Sequence, residues 1–516
     1  LYVYAWARNL ENRQLNNPKK SIIVGWDPRD TEGVFSRAVI RGIRKAGATA
    51  LVAGVVPTPL VPMMVVDMKA AGGVMITASH NPMDQNGIKL FSGYRGVKFL
   101  PANDLALSQL VLKTRFSLIT QLPKKGSRLD IRGKALKLFN WFHLQKENTW
   151  QEEISFKNIT LVVDAANGSL TKIAKRVFRR VGCGETIEVN GRLNGQVNLF
   201  SGVADLEGRS VILSEDIVKN KGFFNRHRAI LKIFKLGRQF KTEIQQGRRR
   251  VCGAIFDADG DRLFFLEYDA FRDRLVILCG DETAFHQVEY LKRHKLDSKA
   301  TLLNTVESDL NATQAIEGSG TKAQLTPVGD KWILSRILLT ELEFRKRNLT
   351  RFRKRFSRQH QKQIDQAHRN LQYLRKAGVS DIKELEALES SINALEKSIG
   401  KFPDSLPFLV GSEETGHNIT LGWLERGQRV YCGNGLKSAL NTLVATQHLH
   451  QRKTAKMFVR ALERPYQPGV KQTCYVFYVR KGLFYKNSSV WNRVRRFIRS
   501  EVKGFGWGCE TITFSQ

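Results

Sequence analysis

Paired cysteines are missing from this 516-residue sequence. The six cysteines are scattered, with no CxxC pair, and this spacing argues against a disulfide framework and against a zinc site. Long apolar runs are missing too: no segment has the charge-free length that a membrane span needs, and the first residues do not form a signal peptide. We therefore expect a protein of the reducing cytoplasm with no membrane partner.

Acidic residues are few relative to basic ones. The sequence has 48 Asp and Glu against 83 Lys and Arg, which gives a formal net charge of +35. A basic surface attracts phosphorylated metabolites, nucleic acid and acidic membranes alike, so charge narrows the list of partners without choosing among them. At this length, with 42% hydrophobic residues, the chain can bury a large core and should divide into several domains.

Short apolar strands alternate with amphipathic helical patterns along most of the chain. Helical patterns at Val34–Ala46 and Leu170–Val181 follow strand-like runs, and such alternation predicts α/β layers with ligands at the loops beyond the strand ends. The strand-like runs are Ser21–Gly25, Thr49–Ala53, Gly73–Ile76, Ile159–Val163, Val251–Phe256, Leu302–Thr305 and Phe408–Val410.

Residues 341–400 break this rhythm. Apolar residues recur there at helical spacing in two runs, on either side of a turn at residues 376–380, which predicts an antiparallel helical hairpin inserted into a domain. Asp381 and Glu384 resemble a capping box that opens the second helix. The apolar positions are Phe356, Ile364, Ala367, Leu371 and Leu374, then Ile382, Leu385, Leu388, Ile392, Leu395 and Ile399.

The sharpest motif is Thr77-Ala78-Ser79-His80-Asn81-Pro82, directly after a strand and followed by Asn-Gly-Ile-Lys at residues 86–89. A serine on a tight loop can carry a phosphoryl group covalently if nearby donors and a cation neutralise the phosphate. The same letters also suit a plain chain-reversing turn. A hydrolase nucleophile is less consistent, because glycines do not flank Ser79 in the G-x-S-x-G manner.

A second motif, Asp257-Ala258-Asp259-Gly260-Asp261-Arg262, also follows a strand. Carboxylates at alternate positions can converge on one hard cation such as Mg²⁺. An EF-hand loop does not fit, because its glutamate at the twelfth position is Tyr268 here. An acidic surface turn is the alternative, although three like charges without a cation are unfavourable. Arg262 supplies a guanidinium suited to a phosphate oxygen.

These two motifs resemble those of the α-D-phosphohexomutases, the family of phosphoglucomutase, phosphomannomutase and phosphoglucosamine mutase. Two further stretches are similar to family loops and occur in the family's order. Residues 326–331 (TPVGDK) resemble the loop of the third domain, and residues 411–417 (GSEETGH) resemble the sugar-recognition loop, usually G-E-x-S-G-H. The resemblance covers nearly the whole chain outside the hairpin and the last stretch.

The resemblance implies an intramolecular phosphotransferase. Phosphorylated Ser79 would pass its phosphoryl group to a hexose monophosphate, and the bisphosphorylated sugar would turn over before Ser79 takes back the other group. Asp257, Asp259 and Asp261, with a phosphoserine oxygen, would hold Mg²⁺. Arg262 and Lys89 would face the phosphoserine, with Lys89 as a general acid or base, and His80 belongs to the same catalytic loop.

On the sugar side, the resemblance implies that Glu413 and Thr415 bind paired sugar hydroxyls, with Thr415 in place of the usual serine. Gly329, Lys331 and His417 would line the cleft. The expected small-molecule partners are a hexose phosphate and hexose 1,6-bisphosphate. The resemblance favours a phosphomannomutase or phosphoglucomutase, and the two are not separated because no motif reports on the epimeric hydroxyl. A phosphoglucosamine mutase stays open, because Asn86-Gly87-Ile88-Lys89 occurs in a form shared with glucosamine-phosphate mutases.

The sequence departs from the family at both ends. The R-x-S-G-T loop that grips the distal phosphate does not follow residue 440, and Ser319-Gly320-Thr321 copies part of it in another place without the arginine. The family's opening segment with a phosphate-facing arginine is also absent. Because the sequence begins at Leu1 rather than at a methionine, we expect a partial chain.

The predicted architecture is α/β, with three layered domains around a cleft, a smaller incomplete α+β domain and the inserted hairpin. We expect a phosphoserine-loop domain at 1–145, a metal-loop domain at 146–272, a sugar-recognition domain at 273–440 that contains the hairpin at 341–400, and a partial phosphate-binding domain at 441–516.

Two rival interpretations of the chain remain open. In one, the basic hairpin binds nucleic acid or an acidic partner on a retained mutase scaffold, although no nucleic-acid-binding motif supports this. Its aromatic residues at helical spacing are more typical of a hairpin core than of base-stacking platforms. In the other, the enzyme is a phosphatase that loses the phosphoryl group to water.

Overall fold

The first domain is a layered α/β unit, as its alternating pattern predicts. The computed structural model describes residues 1–10, 20–151, 154–294, 300–399, 408–467 and 487–504. The strands of this domain are β1 (Ser21–Trp26), β2 (Thr49–Val55), β3 (Gly72–Ile76), β4 (Ile88–Ser92) and β5 (Arg128–Asp130). The helices are α1 (Tyr2–Asn9), α2 (Val34–Lys45), α3 (Leu60–Asp67), α4 (Pro101–Lys113), α5 (Phe116–Gln121), α6 (Arg132–Leu144) and α7 (Lys146–Thr149).

The sheet of the first domain has the strand order β4-β3-β1-β2-β5. β1 lies parallel to both β2 and β3, while β4 pairs antiparallel with β3. The carboxyl ends of β1 and β3 therefore meet at one edge, where ligands collect in sheets of this kind. Ser79 lies in the loop between β3 and β4, and Lys89 lies on β4.

The second domain places the aspartate loop at the tip of a buried hairpin. Every residue of β9 and β10 is buried, and the sheet order is β7-β6-β9-β10-β11-β8. The strands are β6 (Ile159–Asp164), β7 (Glu185–Val189), β8 (Val211–Leu213), β9 (Arg250–Phe256), β10 (Leu263–Asp269) and β11 (Arg274–Leu278). The helices are α8 (Ile173–Arg180), α9 (Ser214–Val218), α10 (Arg228–Gln239) and α11 (Lys241–Gln245).

The third domain carries the sugar-side loops at the ends of its strands. β12 lies parallel to β13 and β14, and β15 runs antiparallel to β14. The strands are β12 (Thr301–Thr305), β13 (Lys322–Thr326), β14 (Leu409–Ser412), β15 (Asn418–Thr420), β16 (Gly422–Trp423) and β17 (Arg429–Val430). The helices that precede the hairpin are α12 (Gly280–His294), α13 (Leu310–Gly318) and α14 (Asp330–Arg351).

The predicted hairpin is present as α15 (Arg358–Ala377) and α16 (Ile382–Ile399). Its capping box forms, since the Asp381 carboxylate accepts from Lys383 N at 2.9 Å and Glu384 accepts from Asp381 N at 3.2 Å. The hairpin does not begin at a boundary near residue 341, because α14 runs unbroken through that position. The second half of α14 packs with α15 and α16 in one apolar core.

The hairpin also holds the first domain against the third. Tyr94, Val97 and Leu100 of the first domain lie in the same apolar core as α14, α15 and α16. Ala102 N donates to Ser380 O at 3.0 Å across this contact. Phe356 is buried in this core, so it is occupied in packing rather than presented to a base.

After β17 the chain continues in helices α17 (Gly435–Gln451), α18 (Ala455–Glu463) and α19 (Ser489–Gly504). α17 is almost wholly buried and crosses the boundary expected after residue 440. Residues 468–486 and 505–516, where the rest of the expected strand–helix–strand unit falls, lie outside the described residues. None of the helices in the described part is long and apolar enough to span a bilayer.

Two of the expected domain boundaries cut through packed elements. A boundary after residue 272 would separate β11 from β10, with which it pairs over five residue positions from Phe265↔Leu278 to Asp269↔Arg274. A boundary after residue 440 would divide α17. We propose that the second domain ends at Leu278 and that the fourth begins beyond Glu463, because a domain boundary should leave sheets and helices intact.

Candidate active site

The Ser79 loop is held in a sparsely populated backbone conformation. Ser79 has φ +53°, which costs free energy for a residue with a Cβ and persists only where surrounding contacts fix it. Its N–H donates to Thr77 Oγ1 at 2.8 Å, and its carbonyl accepts from Arg29 Nη2 at 2.7 Å and from Asn198 Nδ2 at 2.9 Å. Three segments from two domains therefore set the direction of the serine.

A buried ion pair after β1 supports this loop. Arg29 Nε lies 2.9 Å from Asp27 Oδ2, and Thr77 Oγ1 donates to the same oxygen at 2.6 Å. Burial raises the pKa of Asp27 to about 6, although Arg29 and Thr77 oppose the shift. Because Arg29 also donates to the Ser79 carbonyl, the ion pair fixes Ser79 relative to the end of β1.

Ser79 meets the aspartate loop directly. Its Oγ donates to Asp257 Oδ2 at 2.6 Å. Asp257, Asp259 and Asp261 are all buried, and one oxygen from each lies within 4.8 Å of the others; we call these three residues the carboxylate cluster. Burial and the two neighbouring carboxylates raise the pKa of Asp257 well above its usual value, which favours a proton near the Ser79–Asp257 contact.

Lys89 lies against the other two carboxylates. Its Nζ is 2.6 Å from Asp259 Oδ2 and 2.7 Å from Asp261 Oδ2. Burial opposes the ammonium form, but the three aspartates outweigh it and raise the pKa of Lys89. Burial likewise opposes ionisation of Asp259 and Asp261, yet Lys89 holds both of their pKa values below normal. Lys89 is therefore a fixed cation in this arrangement.

The carboxylate cluster fits a divalent metal ion. Asp259 Oδ1 is buried without a hydrogen-bond partner among the described residues, while Asp259 Oδ2 accepts from Thr58 and Lys89. Leaving such an oxygen buried and unpaired is costly. Carboxylate oxygens at one point are the ligands that Mg²⁺ prefers, so the donor set suits the cation that the sequence predicts.

Arg262 and His80 lie beside the cluster. Arg262 Nε is 3.9 Å from Asp257 Oδ2, and its Nη1 is 3.3 Å from Glu207 Oε1. His80 Nε2 is 3.7 Å from the same glutamate oxygen. Burial, Arg262 and His417 lower the pKa of His80 to about 4, so its imidazole is neutral at neutral pH.

The sugar-recognition loop reaches the same point from the third domain. His417 Nε2 lies 3.2 Å from Asp261 Oδ1, and its Nδ1 lies 2.6 Å from Glu413 Oε2. Burial opposes protonation, but Asp261 and Glu413 raise the pKa of His417 to about 9. Glu413 Oε1 also accepts from Gly329 N at 2.8 Å. The loop approaches α12 so closely that a Cβ on Gly280 would lie 1.7 Å from Glu413 O.

A cavity of about 310 Å³ joins these groups and receives side chains from all three domains. Lys98, which the sequence did not single out, points its Nζ at Asp330 Oδ2 at 2.5 Å. Lys331 lies outside this cavity, with Nζ 3.3 Å from Asp104 of α4. The lining residues are Ser79, Lys89, Lys98, Arg262, Thr305, Glu307, Val328, Gly329, Asp330, Glu413, Glu414, Thr415 and His417.

Family models match two parts of this chain. Residues 2–117 match the description "Phosphoglucomutase/phosphomannomutase, alpha/beta/alpha domain I", and residues 279–344 match domain III of the same description. Over these residues the chain is similar to the α-D-phosphohexomutase family. The domain III match starts at residue 279, directly after the strand β11 that ends at Leu278.

Curated relatives carry the name phosphoglucosamine mutase. That of Syntrophus aciditrophicus (strain SB) is 27% identical over 326 residues, which cover 62% of this chain and 62% of the relative. That of Caldicellulosiruptor bescii is 27% identical over 328 residues, again with 62% of each chain covered. The match thus spans less than two thirds of the length of these relatives.

Solved structures agree on the phosphohexomutase fold. A provisionally named phosphomannomutase from Thermus thermophilus has a TM-score of 0.52 at 18% identity, with 90% of this chain and 78% of that chain covered. A phosphoglucomutase/phosphomannomutase family protein from Burkholderia thailandensis has a TM-score of 0.50 at 16% identity, with 89% and 75% covered.

Sequence reasoning missed several residues that support the serine loop, the carboxylate cluster or the cavity. Asp27 and Arg29 follow β1 at the sheet edge that carries Ser79, so the polar Asp-Pro-Arg-Asp run after the first strand was a usable signal. Thr58 and Asn198 had no comparable signal, because each reaches the site from a different segment. Lys98 and Glu307 likewise enter the cavity only through the folding of β4 and β12.

Proposed function

We propose that this chain carries the phosphoryl-transfer site of a phosphohexomutase that moves a phosphoryl group between the 1- and 6-hydroxyls of a hexose phosphate. The observation that carries the proposal is the 2.6 Å contact between Ser79 Oγ and Asp257 Oδ2 beside two further buried carboxylates. A serine in this position can accept and return a phosphoryl group, since its surroundings neutralise the added charge.

The first half-reaction needs one bond exchange at phosphorus. The bond from phosphorus to Ser79 Oγ breaks, a bond to the sugar hydroxyl oxygen forms, and the proton of that hydroxyl ends on Ser79 Oγ, which is left as the free serine hydroxyl. Lys89, Arg262 and His417 supply positive charge around the transferring group. The aspartates hold Lys89 protonated, so its positive charge stays beside the transferring group throughout. The bisphosphorylated sugar then presents its other phosphate, and the exchange runs in reverse.

Asp257, Asp259 and Asp261 are the residues that would hold Mg²⁺, which when bound offsets negative charge on the phosphoryl group. The protein's own part is to orient the serine through Arg29, Thr77 and Asn198, and to exclude water from the buried carboxylates. Water exclusion separates a mutase from the phosphatase alternative, in which the phosphoserine would be hydrolysed.

For the sugar, we propose glucosamine phosphate as the first substrate to test. The curated relatives carry that name, and the carboxylates Glu307, Glu413 and Glu414 line the cavity, where they would attract a sugar ammonium group. Burial, together with Glu413 and Glu414, raises the pKa of Glu307, so a cation there would relieve repulsion. Glucose and mannose phosphates are the alternatives.

The test is an isomerisation assay with Mg²⁺ and a trace of the matching sugar 1,6-bisphosphate. We expect interconversion of the 1- and 6-phosphates by the wild type, and a loss of roughly 10³-fold or more in Ser79→Ala, because the covalent carrier is gone. Ser117→Ala, an exposed serine of the same domain, is the matched control. Unchanged activity in Ser79→Ala would remove this serine from the mechanism. Phosphate release without isomer exchange would establish the phosphatase.

A further inference from the structure

A second cavity, of about 220 Å³, lies between α12, α17 and α18. It shares none of its lining residues with the Ser79 cavity. α12 begins at Gly280 against the sugar loop, and α17 begins at Gly435, whose N–H donates to Gly260 O at 3.1 Å. At 1.5 Å per residue, the residues that line the second cavity lie about 8 to 25 Å along these helices from the active-site loops.

Cationic side chains surround this cavity. Arg293, Arg452 and Arg464 are exposed at its rim. Arg293 lies 3.4 Å from Glu289, and Glu289 carries the single carboxylate among the described residues that line the cavity. No hydrogen bond or ion pair joins the guanidinium of Arg452 or Arg464 to another residue in the part of the chain that the structure describes. Two guanidinium groups are therefore available to an anion.

Aromatic and imidazole rings form a firm wall. Tyr290 stacks between Trp150 and His294, with ring centroids 5.9 and 4.7 Å away, and the His294 and His448 rings lie 4.2 Å apart. Because Tyr290 already stacks with two rings, the wall is occupied in packing and does not offer Tyr290 as a platform for a planar base. The cavity suits a compact ligand rather than a nucleotide.

The interior of the cavity also contains a buried nitrogen atom that has no hydrogen-bond partner among the described residues. His286 lines it, is only 7% exposed, and has no hydrogen-bond partner for Nε2 among the described residues. Burial first, and then the nearby His294 and Arg452, lower the pKa of His448 to about 4, so its imidazole is neutral at neutral pH. An oxyanion in the cavity would accept from the imidazole and guanidinium donors.

We propose that this arginine cavity is a binding site for a compact phosphate-bearing anion, separate from the site of phosphoryl transfer. The ligand chemistry is a phosphate dianion held by Arg452, Arg464 and an imidazole N–H, in the manner of charge-assisted hydrogen bonds. Its source is either free orthophosphate or the phosphate of a small metabolite.

The experiment follows histidine ring signals of ¹³C-histidine-labelled protein in EDTA, during titration with inorganic phosphate at constant ionic strength. The His448 signal is assigned by its loss in His448→Gln, and His417 reports on the active site. We expect a saturable shift of His448 whose midpoint rises at least tenfold in Arg452→Gln/Arg464→Gln. Arg460→Gln, an exposed arginine of α18 outside the cavity, should leave the midpoint unchanged.

A His448 signal that does not move, or an equal change of midpoint in Arg460→Gln, would overturn the proposal, because the effect would then be absent or due to net charge. Because both mutated arginines are exposed, the double variant should keep its thermal midpoint. A second titration with glycerol 3-phosphate identifies the source: tighter binding than orthophosphate points to an organic phosphate, and weaker binding points to the free ion.

Discussion

Two groups of buried charge flank the first domain, and their carboxylates are paired very differently. In the carboxylate cluster, three aspartates share the cations Lys89 and His417, and Asp259 Oδ1 has no hydrogen-bond partner in the described structure. In the ion network of Arg95, Glu341, Arg345 and Glu389, both oxygens of each glutamate have a partner.

The difference separates a structural use of buried charge from a functional one. Arg95 of the first domain bridges Glu341 of α14 and Glu389 of α16, and Tyr94 OH donates to Glu389 Oε2 at 2.6 Å. This network is complete as it stands and fixes the first domain against the hairpin. The carboxylate cluster is not complete in this way, because Asp259 Oδ1 stays buried without a hydrogen-bond partner in the described structure, a cost that a bound cation would offset.

Asp259→Asn should give the largest effect. The variant keeps the shape of the side chain but removes one charge from the cluster, so we expect mutase activity to fall by roughly 10³-fold or more. In thermal unfolding, Mg²⁺ should stabilise the wild type through binding linkage, by about 2.7 kcal/mol at a hundredfold excess over Kd, and this gain should vanish in the variant. Asp273→Asn, away from the cluster, should retain it. An undiminished Mg²⁺ effect in Asp259→Asn would contradict the metal assignment.

Glu389→Gln tests the completed network. It leaves Arg95 and Arg345 buried beside a neutral amide, and removal of one partner from such a group costs about 3 kcal/mol in the free energy of unfolding. Mg²⁺ binding should be unaffected, which is the opposite outcome to that of Asp259→Asn. The control is Asp365→Asn, whose ion pair with Arg353 is exposed on the same insertion and contributes under about 1 kcal/mol. If denaturant unfolding showed the same loss of stability for Glu389→Gln and Asp365→Asn, the network would contribute no more than an exposed ion pair.

Lys437→Met should give the smallest change in stability. It adds a third case to the comparison, a buried lysine that has no carboxylate partner among the described residues. Lys437 Nζ contacts Thr420 Oγ1 and Leu421 O, and burial lowers its pKa from 10.5 to about 7. Between pH 7 and 10.5 the unfolded chain binds a proton that the folded chain does not, so wild-type stability should rise with pH in this window.

Below pH 7, Lys437 is protonated in both the folded and the unfolded chain, so the full free-energy cost of burying its charge lowers the stability of the fold. Lys437→Met removes that penalty but also loses two hydrogen bonds, so we expect a net gain on the order of 1 kcal/mol at about pH 6 that shrinks toward about pH 10. Urea unfolding at several pH values measures it. Parallel pH profiles for variant and wild type would show that Lys437 does not titrate abnormally.

Much of the candidate site could be predicted because its parts are local in sequence. Ser79 and the three aspartates each follow a buried strand directly, and strand ends in α/β sheets present their loops to a common edge. The hairpin was equally local: its period, its turn and the Asp381–Glu384 cap are readable within about sixty residues. The roles assigned to Lys89, His80, Thr415 and Lys331 stay predictions, since their positions alone do not establish chemistry.

The sequence by itself predicted seven of the strands, helices α2 and α8, the helical hairpin and the two motif loops, because hydrophobic period and turn chemistry act over short distances. Only the tertiary structure decided that Lys89 pairs with Asp259 and Asp261, that Arg29 and Asn198 hold the serine carbonyl, and that α17 runs through a supposed boundary. These depend on contacts between residues up to about 170 positions apart, whose free energy comes from burial and charge pairing after the domains have packed.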